Sequence, residues 1–213
     1  MNRRYGDSGC YPLLPILVER GLFRAGGARL ISGNDVRILR DAGEHFPAFL
    51  AAIGAARRTV FLENYIFADD RVGREIAESL VERARTGIKV RVICDWLGSF
   101  RLRRAFWEPL VEAGGEVRWF NPPRITGSLP LLARDHRKML AVDGSAAFVT
   151  GLCISSKWLG DSARGIEPWR DTGIAVRGPA VAEIERAFAQ AWTATGAQFP
   201  TADLTPVEQM DEG

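Results

Sequence analysis

The chain has 213 residues, of which 46% are hydrophobic and 25% charged, and a formal net charge of +2. This is the composition of a soluble globular protein large enough to bury a core, and its near-balanced charge argues against a general polyanion-coating role. No run approaches the roughly 18 apolar residues of a membrane span, and the separated Cys10, Cys94 and Cys153 suggest neither a disulfide framework nor a metal site, so a reducing compartment is expected.

Residues 1–34 read as a Gly- and Arg-rich N-terminal arm. The apolar stretch at 11–18 is broken by Pro12 and Pro15 and lacks a clean small-residue cleavage site, so a packed arm is favoured over a secretory leader. Peripheral membrane contact through this arm is left open.

A regular alternation begins at Asp35. Residues 36–39 predict a strand. Phe46, Phe49, Leu50 and Ile53 recur at helical spacing and predict a helix over 42–57, with Pro47 in its first turn. The β-branched and aromatic run 59–67 predicts a strand. Val72, Ile76, Leu80 and Ala84 share one helical face over 72–86, and Gly87 ends that helix. A strand follows at 88–95, then a helical segment at 101–113 that Pro109 kinks or divides. Residues 116–120 predict another strand.

A long connection then carries Pro122, Pro123, Gly127 and Pro130, and such loops are often functional. Strands are expected at 136–142 and 146–150, joined by Asp143-Gly144, a hairpin-turn signal. After an irregular stretch come a strand at 171–176 and a helix opened by Gly178-Pro179. Residues 198–213 read as a tail or linker. Strand–helix alternation followed by a hairpin predicts an α/β fold, an α-β-α sandwich with a mixed central β-sheet, spanning 35–197.

Only two histidines occur, His45 and His136. His136 and Lys138 lie two apart at the start of an apolar run, and alternation puts them on one face. Asp143, seven residues from His136, falls on the other face or in the turn, where it would support structure. Lysine offers fixed charge to a phosphate, and histidine can attack phosphorus or carry a proton near neutral pH. Around them Arg118, Arg124, Arg134 and Arg137 form a basic cluster suited to an anionic substrate. A solvated face would also account for these arginines, and a satisfied core histidine for His136.

His136-x-Lys138-x4-Asp143 resembles the H-x-K-x4-D signature of the phospholipase D superfamily. Residues 64–67, 87–92, Asp95, Gly98-Ser99, 120–122, 134–138, Thr150-Gly151 and 169–172 are similar to the first half of bacterial cardiolipin synthases. The resemblance implies a cofactor- and metal-independent phosphodiester chemistry through a phosphohistidine. It implies catalytic roles for His136, Lys138, Asp143 and Asp171, with Glu167 a second choice for the acidic position. It implies substrate binding by Arg134, Arg137, Gly151 and Cys153. Cys153 stands where the family pattern has an asparagine, and a thiol is the weaker hydrogen-bond donor. Its alternative reading is a small buried filler.

No second H-x-K-x4-D is present, and His45 lacks a lysine two residues on. A complete site therefore calls for a second half, from a homodimer partner or from a missing C-terminal half. The leading expectation is a cardiolipin synthase-like phosphatidyltransferase or phospholipase D-type enzyme acting on a phosphatidylglycerol-like phospholipid. It would be cytoplasmic or peripheral at the cytoplasmic membrane. Ile125, Leu129, Leu131 and Leu132 are loop residues that could touch a lipid surface, or could pack on the core. The alternatives are a homodimeric nuclease or phosphodiesterase acting on nucleic acid, and a catalytically incomplete lipid-binding or scaffold half.

Overall fold

The computed structural model describes residues 18, 21, 30–123 and 133–206. Most of the expected arm, the loop residues Arg124, Ile125, Leu129, Leu131 and Leu132, and the tail from 207 lie outside the described residues. Contacts divide the chain into Met1–Ser32 and Gly33–Gly213, and every strand and helix named below belongs to the second unit.

Seven strands form one mixed sheet: β1 (Asp35–Arg40), β2 (Thr59–Asn64), β3 (Lys89–Asp95), β4 (Glu116–Phe120), β5 (Met139–Val142), β6 (Ala146–Val149) and β7 (Thr172–Arg177). Their spatial order is β1-β7-β6-β5-β2-β3-β4. β2, β3 and β4 run parallel, as helical crossovers require. The remaining neighbours are antiparallel, and the Asp143-Gly144 turn joins β5 to β6.

Helix α1 (Asp41–Ala55) buries Ala42, His45, Phe46, Phe49 and Ile53, an i, i+3/i+4 stripe. The helix starts at Asp41, so Pro47 lies inside it and not in its first turn. Helix α2 (Arg71–Arg85) is capped by Asp70, whose carboxylate accepts the Gly73 N–H at 3.1 Å. It buries the expected Val72, Ile76, Leu80 and Ala84, and Gly87 follows it at φ +85°. The expected helix over 101–113 is instead a 3-10 turn, Arg104–Trp107, leading into a short helix α3 (Glu108–Glu112). Pro109 sits in the first turn of α3, where its missing N–H costs nothing. Helix α4 (Ala180–Ala194) follows β7.

Two apolar layers result. Phe46, Phe49, Ile53, Ile76 and Leu80 of α1 and α2 pack with Val60, Leu62, Val92 and Leu140 on one sheet face. Phe188 and Trp192 of α4 pack with Phe61, Ile93, Met139 and Val176 on the other. This is an α-β-α sandwich with a mixed central sheet.

Candidate active site

The carboxyl ends of the parallel strands form one rim of the sheet, the usual place for a ligand in open α/β folds. β2 ends there at Asn64 and β3 at Asp95. β5 enters and β6 leaves at the same rim, because Glu63 pairs with Met139 and Met139 with Val149. Asp171 lies beside it, just ahead of β7.

The strand containing the motif starts at Met139, three residues later than expected. The reason is local. The Asp135 N–H donates to the buried carboxylate of Asp95 at 2.9 Å, and the Arg137 N–H turns back to Asp135 Oδ1 at 3.2 Å. These bonds replace a sheet ladder and hold the approach to β5.

His136 is exposed and Lys138 is buried. Both meet Tyr65. The two rings, Tyr65 and His136, have centroids 4.7 Å apart, and Lys138 Nζ lies 5.3 Å from the Tyr65 ring centroid. Lys138 Nζ donates a 2.6 Å hydrogen bond to the His136 carbonyl. An ammonium carries three N–H bonds, so the others can serve an anion. Burial lowers the Lys138 pKa, while Cys153, Asp135 and Asp171 act in the opposite direction. Burial raises the Cys153 thiol, and the Lys138 charge offsets part of that.

Gly151 and Asp171 are in close approach. A Cβ on Gly151 would stand 2.5 Å from Asp171 Oδ1, so only glycine admits the carboxylate here. The Asp171 backbone is clamped by Asp41: the Asp41 N–H donates to the Asp171 carbonyl and the Asp171 N–H to Asp41 Oδ1. The loop bearing Gly151 and Cys153 is tied to β2 by Asn64, whose side chain donates to Leu152 O and accepts from the Ile154 N–H.

The other expected site residues lie differently. Asp143 is at the far end of β5, beside the start of β2. Its carboxylate accepts the N–H groups of Arg57, Arg58 and Thr59 at 2.7–2.9 Å. That fixes the loop between α1 and β2 and leaves Asp143 out of reach of the His136 rim. Arg137 turns its guanidinium to Glu63, Asp135 and the Ala187 carbonyl. Arg134 reaches Asp95 and the Asn121 carbonyl. Both arginines therefore brace the motif. His45 is buried in α1, with Nδ1 2.7 Å from the Asp41 carbonyl and Nε2 facing Gly173.

Four residues without a role in the sequence reading belong to this site or its support: Tyr65, Glu63, Asp95 and Asp135. Among the described residues no group of three or more His, Cys, Asp or Glu is placed to hold a metal ion.

The fold and the histidine–lysine rim define a phospholipase D-like domain. The family model described as "Cardiolipin synthase, PLD-like domain" matches residues 49–192, and the chain belongs to that family. The major cardiolipin synthase ClsA of Bacillus subtilis (strain 168) is 35% identical over 160 residues, 75% of this chain and 33% of the relative. The cardiolipin synthase of Geobacillus kaustophilus (strain HTA426) is 34% identical over 198 residues, 90% of this chain and 38% of the relative. The chain thus spans 33% to 38% of the length of these relatives. Among solved structures, the phospholipase D family member Nuc from Salmonella typhimurium aligns with a TM-score of 0.57 at 15% identity, covering 78% of this chain and 99% of that one. NucT from Helicobacter pylori aligns with a TM-score of 0.56 at 15% identity, covering 76% of this chain and 98% of that one. These two likenesses establish the shared fold.

Proposed function

We propose that this chain forms one half of a phosphatidyltransferase that acts on a phosphatidylglycerol-like lipid. The observation that carries the reading is the convergence of His136 and Lys138 on Tyr65 at the sheet rim, in a chain 35% identical to a cardiolipin synthase. Nuc and NucT resemble this chain in fold alone, at 15% identity, so the lipid reading is preferred to a nucleic-acid substrate.

In this reading the His136 imidazole attacks phosphorus of the phosphodiester. The P–O bond to the leaving alcohol breaks and a phosphohistidine forms. Lys138 donates to the phosphoryl oxygens as negative charge builds on them. A second histidine, from the second half, gives its proton to the leaving alkoxide. It then takes the proton of the acceptor alcohol, whose oxygen attacks phosphorus and releases His136. Asp171 supports the positive charge of the rim through Lys138.

The second half comes from another copy of the chain or from a further segment of a longer polypeptide. An uncovered part of the sheet supports this. Among the described residues, Val36 and Ile38 of β1 are 54% and 62% exposed, and Val149 of β6, aligned with Ile38 through Ile174, is 40% exposed. A sheet face this apolar is normally covered by another layer. Next to it lies a cleft of about 260 Å³ lined by Ile38, Arg40, Arg170, Asp171 and Thr172, in which Arg170 pairs with Asp41. Peripheral membrane contact belongs to the same proposal.

The test is transfer. Phosphatidylglycerol vesicles are incubated with the protein and a chelator, and lipid products are followed by mass spectrometry. Cardiolipin and free glycerol are expected, and His136→Ala should make neither. Cleavage of plasmid DNA with no lipid turnover would move the assignment to the nuclease reading.

A further inference from the structure

Glu63 is a carboxyl group in a strand whose six residues are all buried, and it is itself 1% exposed. Its sheet partners, Ile93 in β3 and Met139 in β5, are uncharged. The charged groups that reach it are Asp135 and Arg137, which flank His136. Arg137 Nη2 is 2.8 Å from Glu63 Oε1, and Arg137 Nε is 3.3 Å from Asp135 Oδ1. Helix α4, over the same face, gives Arg137 the Ala187 carbonyl, while its Glu183 and Arg186 pair with each other.

Glu63 and Asp135 are two buried carboxyl groups that share the Arg137 guanidinium. Two adjacent buried carboxylates cannot both ionise without large cost. A proton on Glu63 resolves the conflict, because the neutral acid then donates to the Asp135 carboxylate while its other oxygen accepts from Arg137. Asp135 is further fixed by its N–H to Asp95. The residues on either side of His136 are thus both anchored, although the exposed imidazole takes no part in the network.

We propose that Glu63 is a positioning residue: as a neutral acid bridging Asp135 and Arg137 it sets the direction of His136, and its ionisation releases that hold. The proposal rests on reading His136 as the reacting group. Burial, reinforced by Asp135, raises the Glu63 pKa to about 9, which puts the release on the alkaline side of neutrality.

The chain has two histidines, so the proton NMR signals of their rings can be assigned with His136→Ala and followed against pH. In the wild type the His136 ring signal should show an alkaline shift with a midpoint of about 9. Glu63→Gln keeps a neutral donor and acceptor. It should leave the His136 signal unchanged near neutral pH and lose the alkaline step assigned to Glu63. Shifts that arise from other groups would persist in both proteins. Glu63→Leu should displace the signal already at neutral pH; should it fail to fold, the glutamine comparison decides alone. An identical alkaline course in wild type and Glu63→Gln overturns the proposal. The readout needs no turnover, so it stands apart from the lipid assay: His136→Ala retaining activity would defeat the functional reading without altering this titration.

Discussion

Tyr65 packs its ring 4.7 Å from the imidazole of His136 and also lies 5.3 Å from Lys138 Nζ. One aromatic side chain thus fixes the spacing of the two groups assigned to phosphate chemistry. A ring face attracts a desolvated ammonium, and Ser99 holds the Tyr65 carbonyl from behind. Tyr65→Leu should lower turnover about tenfold, matching the loss of a partly desolvated cation–π contact. Tyr65→Phe should remain close to wild type. Steady-state rates of both variants check this, and equal losses would shift the role from the ring to the hydroxyl.

Gly151 and Asp171 give a second prediction. A methyl group at 151 overlaps the Asp171 carboxylate, whose backbone cannot retreat because Asp41 binds it on both sides. Gly151→Ala should cut turnover by about 10- to 100-fold, the range expected for a misplaced supporting group. Its melting temperature should fall little. Activity measured beside a thermal melt separates the two effects.

Asp143 should behave in the opposite way to His136, although both belong to the motif. Asp143→Ala strands three backbone N–H groups, partly open to water. A loss of about 1–3 kcal/mol in stability is expected, with turnover per folded molecule nearly preserved at low temperature. His136→Ala should keep its stability and lose turnover. Denaturant titration of the two variants, paired with rate measurements, tests the contrast.

Glu63 makes stability depend on pH in a definite direction. Its pKa is raised on folding, so the folded protein holds a proton that the unfolded chain releases above its ordinary value of 4.5. Its contribution is therefore greatest below that value. It declines as pH rises and is lost by about 9, at up to about 1.4 kcal/mol per pH unit for one proton. Glu63→Gln carries no such proton. It should be more stable than wild type at about pH 8, with the difference shrinking toward about pH 5. Melting curves across that window measure it; a difference that grows toward acid would reverse the assignment.

Much of the fold is legible in the sequence. The stripes of α1 and α2 and the apolar runs of β2 and β3 predict those elements to within a few residues, because burial and periodicity agree there. The expected break at Pro109 falls where the 3-10 turn Arg104–Trp107 gives way to α3, while the 3-10 form of the first part leaves no mark in the sequence. The motif strand begins late because side chains of Asp95 and Asp135 satisfy the backbone of 135–137, and sequence spacing carries no trace of such long-range bonds. His136 and Lys138 stood out as polar residues leading an apolar run. Glu63 sits in an apolar run in the same way, between Leu62 and Asn64, and the same logic would have singled it out. Tyr65 gave no such signal, because a tyrosine after a strand is unremarkable until its ring is found against the imidazole.

In the proposed reaction His136 becomes covalently bonded to phosphorus. The direct measurement uses a short-chain phosphatidylglycerol, a quench in base, where a phosphohistidine survives, and peptide mass mapping. The predicted result is a phosphatidyl adduct on the peptide carrying His136, absent from His136→Ala. Turnover with no adduct at His136, or the same adduct on His136→Ala, would contradict it.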